Sequence, residues 1–400
     1  MLEKSTIEKI NQRKKRRVKK KTIFWMIIMV VAAFGLWYQQ NHSLHVTTSF
    51  QSQVVEENKE LTTLLTYDPL DQSSFGVYEK DMIQCTKDGV KRITLDGHTV
   101  WSQAYFMNRP SLIVSNPYVG VGDIGGQQIY AFGDKGKAYI VETSYPILQF
   151  TLTQKGFLGV LQQTPTGHQI SVYDNQGKIL VDHITYAEKD GQPLGIFLSP
   201  EGEQLVTSYV DTNGNEILSK LTFFNIGEIG EGQIDSISGS YHYPNLLIPQ
   251  GTFLDDHTFI AIGDQKILSF QVNKKPIESW SYLYSQKVRK VSMKGKKSFA
   301  LAFGDPLAGA HEENGEIARI YDQQGKVLGE QQIKAPVDYL YHTDNITIVG
   351  TGRTFYGMNT KGKILWEYTA TKDIKAFLPF SDYKNFLIVS QEDVTFMQLK

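Results

Sequence analysis

The 400-residue chain has a single cysteine, Cys85, so no intrachain disulfide can form and any folded domain must be held by packing alone. Local signatures of catalysis are also missing. No two of its nine histidines have the spacing of a helical zinc motif, and His311-Glu312-Glu313 lacks the second histidine that would complete one. There is no G-x-S-x-G elbow, and Ser381-Asp-Tyr-Lys384 has a serine–lysine spacing without companion motifs. Gly120-Val-Gly122-Asp-Ile-Gly125-Gly126 matches a dinucleotide fingerprint by spacing. The segment Gln127–Phe132 after it reads as a strand, not the required helix, so a glycine-rich β-turn is expected. Asp211-Thr-Asn213-Gly-Asn215-Glu216 alternates oxygen ligands like half a calcium loop. It lacks glycine at the sixth place and glutamate at the twelfth, where Thr222 stands, and reads as a hairpin turn. No metal, cofactor or catalytic residue is expected from these patterns.

Charge is absent from one stretch in particular. Eight of the nine residues Arg13 to Lys21 are basic, and the next seventeen, Thr22 to Tyr38, are uncharged. An apolar run of that length just crosses a hydrocarbon core as a helix. Trp25 at one end and Trp37-Tyr38 at the other suit the interfacial aromatic belts, and the basic flank keeps the N-terminus cytoplasmic. A cleaved signal peptide would need small residues beyond the apolar core, where Leu36-Trp37-Tyr38-Gln39-Gln40-Asn41 stands instead. A buried core helix would not carry the adjoining basic block. The reading is a basic cytoplasmic tail (1–21), a transmembrane helix (22–38), a polar juxtamembrane stalk (39–60) and an extracytoplasmic domain (61–400).

The net charge of −1 conceals a split. Residues 1–21 hold ten basic and two acidic groups, leaving 31 basic and 40 acidic, a net of −9, for residues 22–400. A polybasic tail beside a membrane attracts anionic head groups, so lipid is an expected partner through Thr22–Tyr38 and that tail. An acidic outer domain argues against nucleic acid as its partner. Lysine outnumbers arginine 33 to 8, a skew associated with AT-rich bacterial genomes. Together with the scarcity of cysteine it points to a Gram-positive cell-surface protein.

Beyond residue 61 the texture is short β-rich runs broken by Gly, Asn and Asp; a short helix over Gln51–Leu65 is the one helical option. The chain repeats itself there. Tyr173-Asp-Asn-Gln-Gly-Lys-Ile-Leu180, Tyr321-Asp-Gln-Gln-Gly-Lys-Val-Leu328 and Met358-Asn-Thr-Lys-Gly-Lys-Ile-Leu365 are each strand, polar turn and strand. Looser copies surround Gly97 and Gly136, and degenerate ones Gly227 and Asn273-Lys274. The intervals are 39, 41, 50, 47, 51 and 37 residues, the period of propeller blades. Seven hairpins are visible, and the chain stops where an eighth would turn. Residues 61–68 are expected to supply the missing outer strand and close the ring. The fold class is therefore all-β, an eight-bladed β-propeller after an N-terminal transmembrane helix, with seven blades as the alternative.

Leu198-Ser-Pro-Glu-Gly-Glu-Gln-Leu205 is similar to a turn of WD40-like blades, and Trp101, Trp280 and Trp366 are placed at the ends of outer hairpins as in quinoprotein-like repeats. The chain thus resembles membrane-anchored quinoprotein-like or WD40-like propeller proteins of low-GC Gram-positive bacteria, a family largely of unknown function. Quinone-dependent dehydrogenases of this fold carry calcium ligands and a vicinal disulfide, which one cysteine cannot make. With no catalytic site visible and rigid blades presenting variable loops, the reading is a non-enzymatic scaffold that binds an envelope protein or wall component. The alternative is an enzyme cleaving envelope glycans or peptides with carboxylates in the propeller channel. A sensor would need a partner, because the cytoplasmic part is too short to signal. Candidate binding loops are Tyr241-His242-Tyr243-Pro244 and Asp305–Glu316, the latter with His311, Glu312 and Glu313. Both fall in stretches whose length or aromatic and charged content exceeds a tight turn.

Overall fold

In the computed structural model, which describes residues 59–231, 233–304 and 315–400, the repeated Asp/Asn-x-x-Gly-Lys segment is a doubly closed turn. Asp174 Oδ1 accepts the backbone N–H groups of Gln176 and Lys178, both at 2.9 Å. The Gly177 N–H donates to the Asp174 carbonyl at 3.0 Å, with Gly177 at φ +82°. Asp322 accepts from Gln324 and Lys326, and Asn359 from Lys361 and Lys363, in the same way. The acceptor side chain organises the turn and glycine supplies the left-handed backbone, so the spacing recurs for a mechanical reason.

Each turn joins the third and fourth strands of a four-stranded antiparallel sheet, and there are eight such sheets. The blades span residues 74–104, 110–142, 147–185, 192–244, 250–283, 288–333, 339–369 and 374–399. First strands of most successive blades touch one another, including those of blades 8 and 1, and so form the inner wall of a ring. Middle strands such as His168–Tyr173 and Ser298–Phe303 are buried at every position because a neighbouring blade covers each face. Outer strands alternate, as in Thr99–Ala104, with one face on the next blade and one in solvent.

Ring closure follows the expected scheme. The last blade has three strands of its own, and its fourth is Lys59–Thr66, paired antiparallel with Asp393–Leu399. Lys59 lies opposite Leu399 and Thr63 opposite Thr395. The strand is shifted two residues toward the N-terminus of the expected 61–68, and it replaces the helical option there, since Lys59–Leu65 is extended. The Tyr67 hydroxyl then pins the exit by donating to the Ser390 carbonyl at 2.6 Å. The eight-blade reading holds over the seven-blade one. The anchor over Thr22–Tyr38 and most of the stalk lie outside the described residues. Among the described residues no helix is long and apolar enough to cross a membrane.

All eight outer strands carry a register shift, near the start in seven, for example between Arg92 and Ile93 and between Ile320 and Tyr321, and near the end, at Thr63–Leu65, in Lys59–Thr66. Such bulges twist an edge and spoil it as a template for another strand. They also redirect one side chain onto the next blade. Trp280 stands in the outer strand Pro276–Leu283, donates Nε1–H to the Gln323 carbonyl at 2.9 Å, and covers the turn at Gly325. Trp101 likewise stacks on Phe132 of blade 2 (5.0 Å, 11°) beside Gly136. Trp101 and Trp280 therefore stand within outer strands, one blade before the turn they cover, where hairpin ends were expected; Trp366, also within its outer strand, packs instead on Phe377 and Phe386 of blade 8. The glycine-rich turn is also shorter than expected: Gly120 and Gly122 belong to the strand Tyr118–Asp123, and a Cβ at Gly122 would meet the Phe150 ring at 2.7 Å.

Two glycines at equivalent turns separate backbone strain from contact. A Cβ added at Gly97 (φ +89°) would meet nothing within 4 Å, whereas one at Gly325 (φ +77°) would lie 2.7 Å from the Trp280 ring. Gly97→Ala should cost about 1–2 kcal/mol and Gly325→Ala about 3 kcal/mol or more in urea unfolding. Adding Trp280→Ala should shrink the second cost toward the first. Equal single costs would show that the tryptophan does not press on the turn.

Candidate functional site in the channel

The inner wall encloses a cavity of ≈ 750 Å³ bordered chiefly by the first strands of blades 1, 2, 7 and 8. Hairpins of blades 3 and 6 complete it through Gln154 and Lys294. Those blades are three apart in an eight-membered ring, so the bond from Lys296 Nζ to Gln154 Oε1 (3.0 Å) reaches across the axis. The channel is thus bridged at the rim bearing the hairpins between first and second strands. Phe75, Leu112, Val114, Leu378 and Phe380 contribute apolar patches to its walls, while polar atoms, those of Ser111, Asn116 and Thr343 among them, make up the larger part of the accessible lining.

Three charged side chains line this cavity: Glu79, Arg109 and Lys294. Glu79 lies 3.8 Å from the Arg92 guanidinium. Arg109 donates Nε–H to the Ile124 carbonyl at 2.9 Å, and its backbone N–H to Asp123. The Lys294 ammonium sits 5.4 Å from the centroid of the Tyr341 ring. Its exposed surface faces the water of the channel, and the enclosing walls remove enough solvation to hold its pKa below the usual lysine value. Burial also pushes the Tyr341 phenol up to about 12. A single carboxylate lines the cavity, and no three His, Cys, Asp or Glu side chains among the described residues converge to hold a metal.

The expected binding residues are placed elsewhere. Tyr241, His242 and Tyr243 stand in the regular outer strand Ile237–Pro244 of blade 4, not in a loop. Strand alternation turns both tyrosines onto blade 5, where Tyr241 donates to the Pro276 carbonyl (2.8 Å) and Tyr243 to Glu278 (2.6 Å). His242 faces solvent. Asp305, His311, Glu312 and Glu313 lie outside the described residues. Glu316, at the end of that candidate segment, is buried against Arg289 at 3.1 Å and accepts the Val337 N–H. Ser381 lines the channel cavity, while Asp382 accepts the Lys384 N–H and closes a local turn. Asp211 Oδ1 accepts the Asn213 N–H, which fits the turn reading of that segment. Cys85 is buried in the strand Asp81–Cys85 with Sγ 3.2 Å from the Tyr105 hydroxyl, and burial raises its pKa.

Sequence reading missed two groups. One is His342, fully buried between blades 6 and 7, with Nε2 2.9 Å from Ser298 Oγ and Nδ1 2.7 Å from Thr347 Oγ1. Ser298 also donates to Asp344 at 3.0 Å. The carboxylate is bonded to the serine rather than to the imidazole, so the set braces two blades and lacks the relay of a catalytic triad. The other is Lys294, one of six basic residues between Lys287 and Lys297 in an acid-free stretch, Ser279–Gly304. A scan for blocks of like charge in the outer domain would have found that signal.

Among solved structures the chain is similar to BamB from Moraxella catarrhalis, at 12% identity and TM-score 0.50 over 85% of this chain and 98% of that one. It is also similar to Sqt1 from Saccharomyces cerevisiae, at 9% identity and TM-score 0.57 over 84% and 98%. At such identities the likeness concerns the fold alone. No curated protein matches the sequence. A model of a family of unknown function, DUF5711, matches residues 51–399.

Burial lowers the His342 pKa to about 4, while the unfolded imidazole titrates near its ordinary value of 6.5. Between those values the unfolded chain holds a proton that the folded one refuses, so stability must fall as pH falls through that window. From about pH 7 to about pH 5 the loss should be about 2 kcal/mol in urea unfolding, and His342→Gln should remove that share of the pH dependence. An unchanged slope in the variant would contradict a neutral, buried imidazole.

Proposed function

The chain belongs to the DUF5711 family of unknown function, and from that premise we propose that it is a membrane-anchored binding scaffold of the bacterial envelope, with its propeller extracytoplasmic and without catalytic chemistry of its own. The observation that carries this reading is the channel. Cleavage of a glycan by the usual route takes two carboxylates flanking the bond. Here one carboxylate lines the cavity, it stands beside Arg92, and the mouth is bridged by Lys296 and Gln154. Polar groups of catalytic type instead brace the blades: His342 joins blades 6 and 7, the Glu316–Arg289 pair within blade 6 holds the link to blade 7 through Val337, and Arg92 binds Asp81 of its own blade (2.7 Å) and Asp134 of the next (2.5 Å).

A rigid ring of this kind presents loops without spending much conformational entropy on binding. The chain joins the ring at Lys59, on the rim that carries the glycine turns. The second strand of blade 6 ends at Phe303 and its third begins at Glu316, both at the opposite rim. A tether at Lys59 leaves that opposite rim the freer of the two for an envelope protein or wall polymer. Anchoring rests on the uncharged run Thr22–Tyr38 and the basic block before it.

Because Cys85 is buried, cysteine accessibility gives a clean readout. Lys361→Cys, at an exposed turn, should react with a membrane-impermeant maleimide in intact, wall-stripped cells; labelling only after lysis would place the propeller inside. Photocrosslinking residues at His242, His311 and Glu313 should then form adducts with one envelope protein or wall polymer. Absence of adducts from all three positions in labelled cells would remove them from the binding surface.

A further inference from the structure

The charge of the channel cavity is unbalanced. Arg109 and Lys294 face one carboxylate, Glu79, a net of one positive charge in the lining. Glu79 already stands beside Arg92, and Arg109 is engaged with the Ile124 carbonyl. Within the basic stretch, Arg289 is neutralised by Glu316, and Lys296 donates to Gln154. Lys294 has no carboxylate in ion-pair distance among the described residues; the face of Tyr341 is its close partner. A cation set in a partly dehydrated cavity without a counter-charge costs free energy that an anionic guest would recover.

We propose that this cavity is a binding site for a small organic monoanion, a carboxylate carried on an apolar or aromatic body, with Lys294 as its counter-ion. Valence follows from the lining: one net positive charge is matched by one negative charge, and Glu79 would repel a dianion. The apolar body fits the patch formed by Phe75 and Leu112, while the polar remainder of the lining meets the carboxylate end. Asn116 occupies the first hairpin of blade 2, on the same rim as Lys294, and can donate to the second carboxylate oxygen. A cavity of ≈ 750 Å³ has the size of ordinary small-molecule sites. This site is independent of the scaffold reading, since either can hold without the other.

Benzoate and its neutral isostere benzamide are suitable probes, followed by ligand-observed saturation-transfer NMR on the purified full-length chain. Benzoate should bind, benzamide should bind at least about tenfold more weakly, and inorganic phosphate should not displace benzoate at equal concentration. Lys294→Met should weaken benzoate by at least about tenfold, Lys294→Arg should hold it within about threefold, and Lys290→Met, an exposed lysine of the neighbouring strand, should leave it unchanged. No binding of benzoate, equal binding of benzamide, or full binding by a Lys294→Met chain of unchanged melting temperature would overturn the site. Displacement by phosphate would overturn the monoanion assignment. The benzoate–benzamide comparison uses the unmodified chain, so misfolding of a variant cannot mask the answer.

Discussion

Pairing of Lys59–Thr66 with Asp393–Leu399 is the constraint on which the structure depends. Seven blades are continuous in sequence, each covering the next, and a row of this kind has two raw ends. Joining the two ends of the domain in one sheet removes those ends and gives every middle strand a neighbour on both faces. With one buried cysteine no covalent bond can take over this task. The closure is reinforced by the Tyr67–Ser390 hydrogen bond at its exit and by the exposed Glu60–Lys400 pair at its start, which adds little in open solvent.

Once the ring is closed, most polar chemistry between blades is bracing. Turns covered by Trp101 and Trp280, the Arg92 cluster and the buried His342 stand at the junctions of blades 1 and 2, 5 and 6, and 6 and 7, and the Glu316–Arg289 pair holds the link from blade 6 to blade 7. Each satisfies groups that would be costly to bury alone. A surface held this stiffly suits recognition by its loops, and its interior is left for whatever charge the braces do not consume. Lys294 is such a remainder.

How much of this was legible in the sequence follows from what is local. The Asp/Asn-x-x-Gly-Lys turn is a short-range device, so its three full copies, the four looser hairpins spaced with them, the flanking strands and the missing eighth outer strand could all be read from spacing. Degenerate copies occur where the device is altered: blade 4 replaces the tight turn with short 3-10 segments around Gly227–Gly230, and blade 5 turns at Asn273-Lys274. The channel could not be read, because Phe75, Leu112, Lys294, Tyr341 and Phe380 meet only after closure. Tyr241 and Tyr243 were misplaced for a related reason. Interval length shows that blade 4 carries extra residues but not which connection holds them, and the excess falls before Ile237, leaving the tyrosines in a regular strand.

The closed ring is tested most directly by amide hydrogen exchange across residues 59–66 of the full chain. A paired outer strand predicts slow exchange there, alongside slow exchange in Asp393–Leu399, with both segments losing protection together as denaturant is added. Exchange of residues 59–66 at the rate of an unstructured peptide, while 393–399 stays protected, would contradict it.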